Sequence, residues 1–142
     1  METQIRKTGI DVVGDMAAWG AHFCLFYETK DDLLDTVISY CKSGLESEEY
    51  CMWIVAEPLT IEEAQDALKD AVPDLDRYLA DSRLEIARAR DWFLPGGTFD
   101  GNRVTSGWYE KLPRVSARGY AGISDRGYDL VNEEGLETLL RL

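Results

Sequence analysis

Residues 22–27, HFCLFY, form an unbroken apolar and aromatic run that passes straight into a capped helix pattern. A short run of this kind, followed by a turn, suits a strand buried on both faces of a sheet. Thr29 then supplies an N-cap hydroxyl, and Asp31 and Asp32 place carboxylates against the positive end of the helix dipole. Leu33, Leu34, Val37, Ile38, Cys41 and Leu45 follow at helical spacing, which predicts an amphipathic helix over 30–46.

Nucleotide-binding α/β proteins keep their phosphate loop at this strand-to-helix junction. Such a loop needs glycines so that successive backbone N–H groups can curl around phosphate, followed by Lys and Ser/Thr. The turn Glu28-Thr29-Lys30 contains no glycine, and Glu28 sets a carboxylate where the anion would sit. The place for a ligand is kept, but its chemistry points away from ATP.

The strand-then-helix pattern repeats. Residues 50–56, YCMWIVA, read as a second buried strand, ended at Glu57-Pro58 because proline cannot continue the ladder. Thr60 and Glu63 form a capping box, and Ile61, Ala64, Ala67, Leu68, Ala71 and Val72 give a second helix that Pro73 ends. Leu75, Tyr78 and Leu79 mark a short helical turn. Residues 84–89 read as a third strand, interrupted by Glu85 and Arg88, and 90–97 as a loop carrying Trp92 and Phe93.

Val104, Trp108, Leu112 and Val115 lie on one face of a helix spanning 100–118, which Pro113 should kink or split. Residues 120–124 read as a fourth strand. Residues 133–142 could make a last amphipathic helix, covering a sheet edge or packing against a second subunit in a homodimer. Helical crossovers demand parallel strands, and their right-handedness puts helices on both faces. The expected fold is therefore α/β: a three-layer, mostly parallel twisted sheet, in one domain over 1–142.

The formal net charge is −12, with the acids spread along the chain, so direct nucleic-acid binding is not expected. No apolar run approaches the roughly 20 residues that span a bilayer, so no membrane insertion is expected. Residues 1–7 are polar with no signal-peptide core behind them, which places the protein in the cytoplasm. Cys24, Cys41 and Cys51 fall on apolar elements and include no CxxC, which suits buried free thiols.

In an open parallel sheet, ligands bind beyond the carboxyl ends of the strands. The residues delivered there are Tyr27, Glu28 and Thr29; Glu57 and Pro58; Arg90, Asp91 and Trp92; and Ser124, Asp125 and Arg126. Such a mixture suits a small organic molecule with one or two polar handles, and equally suits solvated loop ends. His22 is the only histidine. It shares a strand face with Cys24, a pair that could give a metal two soft ligands, but no further His or Cys lies nearby in sequence. A structural or pocket-lining histidine is the better expectation, with no metal site. No nucleophile elbow, zinc-protease helix or dinucleotide fingerprint appears, so no enzyme is expected.

Three segments taken together resemble the MEDS family, the methanogen/methylotroph sensory domain named after a dichloromethane-responsive repressor. They are Thr8-Gly9-Ile10-Asp11 through Gly20-Ala21-His22-Phe23-Cys24-Leu25-Phe26-Tyr27, then Tyr50 through Glu57-Pro58-Leu59-Thr60, then Asp91-Trp92-Phe93-Leu94-Pro95-Gly96-Gly97-Thr98-Phe99-Asp100. The resemblance implies a relative of the RecA-like ATPases that has lost its phosphate loop. It implies a non-catalytic, cofactor-free sensor of small molecules, including simple hydrocarbon derivatives, acting with a separate kinase or regulator. It also implies that His22, Cys24, Tyr27, Glu57 and Trp92 are the sensing residues. Similar domains continue after the fourth strand with a further Trp-containing segment, so this chain is expected to be atypical or cut short after about residue 124. The alternative is a protein-interaction module built on a degenerate ATPase fold.

Overall fold

The central strand, Tyr50–Val55, has all six residues buried, and the helices pack against its two faces. A computed structural model describes residues 5–11, 14–18, 23 and 26–120 and the backbone of 123–126. In chain order the elements are β1 (Ile5–Lys7), β2 (Met16–Ala18), α1 (Lys30–Glu46), β3 (Tyr50–Val55), α2 (Ile61–Ala71), α3 (Leu75–Ala80), β4 (Leu84–Arg88), α4 (Ala89–Phe93), α5 (Gly101–Ala117) and β5 (Ile123–Arg126). β1 and β2 form a small antiparallel pair. β3 is flanked by β4 and β5, both parallel to it, in the order β4-β3-β5.

Side chains alternate across a strand, so β3 feeds two cores. Cys51, Trp53 and Val55 pack with Leu33, Val37, Cys41 and Leu45 of α1, with Ala64 and Leu68 of α2, and with Leu75 of α3. Tyr50, Met52 and Ile54 pack with Ala89 and Phe93 of α4 and Val115 of α5. Trp53, Met52 and Ile54 are at most 1% exposed, each side chain contributing about 2–3 kcal/mol by burial.

The helix starts are set locally. Thr29 Oγ1 accepts from Asp32 N at 3.1 Å while Thr29 N donates to the Asp32 carboxylate at 3.0 Å. Thr60 and Glu63 repeat this box at 3.1 and 2.9 Å. The Asp100 carboxylate caps α5 by accepting from Asn102 N and Arg103 N.

Several expectations need correction. Residues 90–97 are not a plain loop: α4 covers Ala89–Phe93 and a 3-10 turn covers Pro95–Gly97. Pro113 does not split α5, because it and Tyr109, whose carbonyl loses its partner, both face solvent. Of the expected first strand, Phe23, Phe26 and Tyr27 are described; none is in a strand and all are exposed, Phe26 to 91%. Its other members, His22, Cys24 and Leu25, lie outside the described residues, as does the helix expected over 133–142. The architecture is thus a mixed α/β one around a small parallel sheet, and no extended three-layer sheet is evident among the described residues.

Candidate functional site

Because β3, β4 and β5 are parallel, their exits lie at one end of the sheet, with Val55 opposite Arg88. Glu57, joined to Pro58 by a cis peptide, leaves β3 there and is exposed. Lys30 Nζ lies 3.1 Å from Glu63 Oε1, tying the start of α1 to the first turn of α2. That contact brings Tyr27 and Glu28, both exposed, to the same end as Glu57. Ser124, Asp125 and Arg126 were expected beyond the fourth strand, but they lie within β5. The strand begins later than the apolar residues of 120–124 suggest.

Trp92 departs most from expectation. It sits on α4, half-buried, and turns beneath α5 instead of hanging from a loop. Its ring meets Trp108 edge-on, with centroids 5.1 Å apart and planes at 62°. A Cβ on Gly107 would lie 3.3 Å from Trp92 Cη2, so glycine is what lets the helix settle this closely. The Trp92 indole Nε1 is buried and has no hydrogen-bond partner among the described residues. Tyr27, Glu28 and Glu57 therefore share one end of the sheet, while Trp92 reaches back from it over the sheet face. His22 and Cys24 lie outside the described residues.

A second constellation, missed by the sequence reading, lies toward the amino end. Lys111 Nζ lies 2.6 Å from Glu85 Oε2 and 3.3 Å from the Tyr50 hydroxyl. The same ammonium stands 5.8 Å from the Tyr50 ring centroid and 5.6 Å from that of Trp92. Burial alone would raise the Glu85 carboxyl, but hydrogen bonds from Lys111 and Tyr50 and the charges of Lys111 and Arg114 outweigh it, and its pKa falls. Burial, with the hydrogen bond to Glu85, pushes the Tyr50 phenol well up. Tyr50 is therefore a neutral donor and no base. The sequence signals were present: Glu85 broke an apolar strand, and Lys111, Arg114 and Arg118 fall at i, i+3 and i+7.

Cys41 and Cys51 are both buried and form no disulfide among the described residues. Burial, with Cys41 and Glu49 nearby, raises the Cys51 thiol well above its ordinary value, which makes it a poor nucleophile and a poor metal ligand near neutrality. Among the described residues, no group of three His, Cys, Asp or Glu could hold a metal ion, and no helix is long and apolar enough to cross a membrane.

The small parallel sheet with capped helices makes this a mixed α/β protein, and strand exits of such sheets are where α/β proteins commonly bind ligands. The family model described as MEDS, the MEthanogen/methylotroph, DcmR Sensory domain, matches residues 21–127, more than half of the chain. The protein belongs to the MEDS family, and with that family it takes a sensory role. No curated protein and no solved structure matches it.

Proposed function

We propose that this chain is a non-catalytic sensing domain for a small organic molecule, of the class of simple hydrocarbon derivatives, in a prokaryotic signalling or transcription-regulating system. The observation that carries this reading is the closed start of α1. There the Thr29 hydroxyl and the Asp32 carboxylate occupy backbone donors that a phosphate would need, and Asp31 adds a further negative charge. A nucleotide would meet carboxylates where it needs N–H groups. His22, Cys24, Tyr27, Glu28, Glu57 and Trp92 are the ligand-contacting set, with the unpartnered Trp92 indole N–H as the donor that a polar handle of the ligand would satisfy.

The underlying fold is a RecA-like sheet without its phosphate loop. The strand order and the right-handed rule support this. α1 and α2 pack on one face of β3 and α5 on the other, as right-handed crossovers around a parallel sheet require. The protein acts in the cytoplasm through a separate kinase or regulator.

Thermal-shift titration with short-chain alcohols, amines and haloalkanes, beside ATP with magnesium, tests the reading. The expected result is stabilisation by at least one neutral organic compound, weakened in Trp92→Phe, and none by ATP. Stabilisation by micromolar ATP would overturn it.

One observation favours the alternative of a protein-interaction module. Ile5, Phe23 and Phe26 are 61%, 45% and 91% exposed. Concentration-dependent self-association with no small-molecule stabilisation would mark that case.

A further inference from the structure

The outer sides of α2 and α5 differ in kind. Every exposed position of α2 is charged: Glu62, Glu63, Asp66, Lys69 and Asp70. α5 instead turns an uncharged stripe to solvent through Asn102, Thr105, Tyr109, Leu112 and Ser116, all of them exposed. Tyr109 and Leu112, neighbours at i and i+3, are 67% and 46% exposed. Arg103, Glu110 and Arg114 flank the stripe. α5 as a whole carries three basic residues to one acid, in a chain whose net charge is −12.

α5 already meets the sheet through its other side, where Trp108 and Val115 pack. Its outer stripe, aromatic and aliphatic at the centre with charge only at the edge, has the make-up of a contact surface. An occupant that fits would be apolar on one side and acidic beside it. The chain itself carries such a segment. Residues 133–142 lie outside the described residues, and in their sequence Leu136, Leu139 and Leu140 recur at helical spacing, with Glu133 and Glu137 to one side. Residues 127–142 together hold four acids and one arginine.

The tether permits the contact. Tyr120, just past α5, stacks on Tyr50 at the entry of β3, so α5 runs back from the strand exits and begins near them. β5 is parallel to β3, and Arg126 therefore leaves it at the exit end. Residues 127–132 can span about 20 Å at ~3.3 Å each, roughly twice the thickness of a helix. Such a tether holds the segment at an effective concentration on the order of millimolar. A second copy of α5 would instead bring two basic flanks together.

We propose that residues 133–142 dock on the outer face of α5, with Leu136, Leu139 and Leu140 against Tyr109 and Leu112, and Glu133 and Glu137 toward Arg114. The contact is separate from the strand-exit residues and stands whether or not a ligand binds there.

Amide spectra of the full chain test it from both sides. Leu136→Ser/Leu139→Ser should shift the signals of Ser106, Tyr109 and Leu112 and leave those of Asp66 and Lys69 on α2 in place. Glu133→Lys/Glu137→Lys should act on the same α5 signals. Tyr109→Ser/Leu112→Ser, which changes only exposed positions, should speed amide exchange at Leu139 and Leu140 about tenfold. All three effects should persist on dilution, with sedimentation at the monomer mass. Three results would each overturn the assignment: α5 signals that ignore the tail variants, exchange at Leu139 and Leu140 that ignores the α5 variant, or effects that vanish on dilution beside a dimer mass, which would give the face to a second copy.

Discussion

Lys111 Nζ on α5 sits 2.6 Å from Glu85 Oε2 on β4, and the same nitrogen reaches the Tyr50 hydroxyl on β3 at 3.3 Å. One ammonium thus ties the last long helix to two adjacent parallel strands. The Lys111 side chain is 14% exposed and that of Glu85 40%, so the pair works in partial contact with water.

Glu85 is held below its ordinary pKa in the folded protein, so its stabilisation is complete above the unfolded value of about 4.3 and is lost as pH falls through the folded value. Glu85→Gln should cost about 1 kcal/mol at neutral pH, allowing for solvent screening of the pair. Below about pH 4 the difference between variant and parent should shrink toward zero. Urea unfolding across pH 3–7 checks this. A gap that stays constant would show that the carboxylate's charge has no part in the contact.

Arg6 and Glu49 are the most enclosed ion pair among the described residues, at 9% and 1% side-chain exposure. The Arg6 Nε and Nη2 atoms both donate to the Glu49 carboxylate, while Nη1 donates to the Tyr40 hydroxyl at 2.7 Å. This fork fastens the β1–β2 pair to α1 and to the entry of β3. Removing one partner strands a buried charge, so Glu49→Leu should cost about 3–5 kcal/mol. Arg6→Met/Glu49→Leu should recover much of that loss, because desolvation offsets most of the pair's attraction. A double-mutant cycle by chemical denaturation measures both.

Gly9 and Gly14 both have positive φ, at 69° and 84°, but differ in surroundings. A Cβ on Gly9 would stand 2.5 Å from the Ser39 backbone carbonyl oxygen on α1, whereas nothing among the described residues lies within 4 Å of one on Gly14. Gly14→Ala should therefore cost only the left-handed backbone penalty, about 1–2 kcal/mol. Gly9→Ala should cost more by about 1 kcal/mol or above, since backbone atoms cannot move aside as a side chain can. Paired thermal melts decide it, and equal losses would mean that the loop does not rest on α1.

What the sequence revealed follows the range over which each signal acts. The capping boxes at Thr29 and Thr60 are written within four residues, and both form. β3 was legible because six successive apolar residues suit a strand covered on both sides. α4 was not: five residues are too few for a helical period, and Pro95-Gly96-Gly97 reads as a loop. β1 and β2, three residues each, show no alternation to detect. The exit of β3 could be listed from topology alone, and Glu57 follows it in the chain. The cluster of Lys111, Glu85 and Tyr50 could not, because Glu85 and Lys111 meet across 26 positions of chain. Nothing local to either residue announces the other.

The orphaned indole of Trp92 sets up the last expectation. A buried N–H without an acceptor costs about 1–3 kcal/mol, so Trp92 gives up part of what its ring contributes against Trp108. Trp92→Phe removes the unsatisfied donor along with some ring contact, and the two effects oppose each other. The variant should lie within about 1 kcal/mol of the parent. Trp53, 1% exposed in the opposite core, offers no such relief, and Trp53→Phe should cost about 2–3 kcal/mol for the space it leaves. Denaturant midpoints of the two variants, measured side by side, make the comparison. If Trp92→Phe proves as costly as Trp53→Phe, the indole N–H has an acceptor in solution, and its role as a free donor for a ligand falls with it.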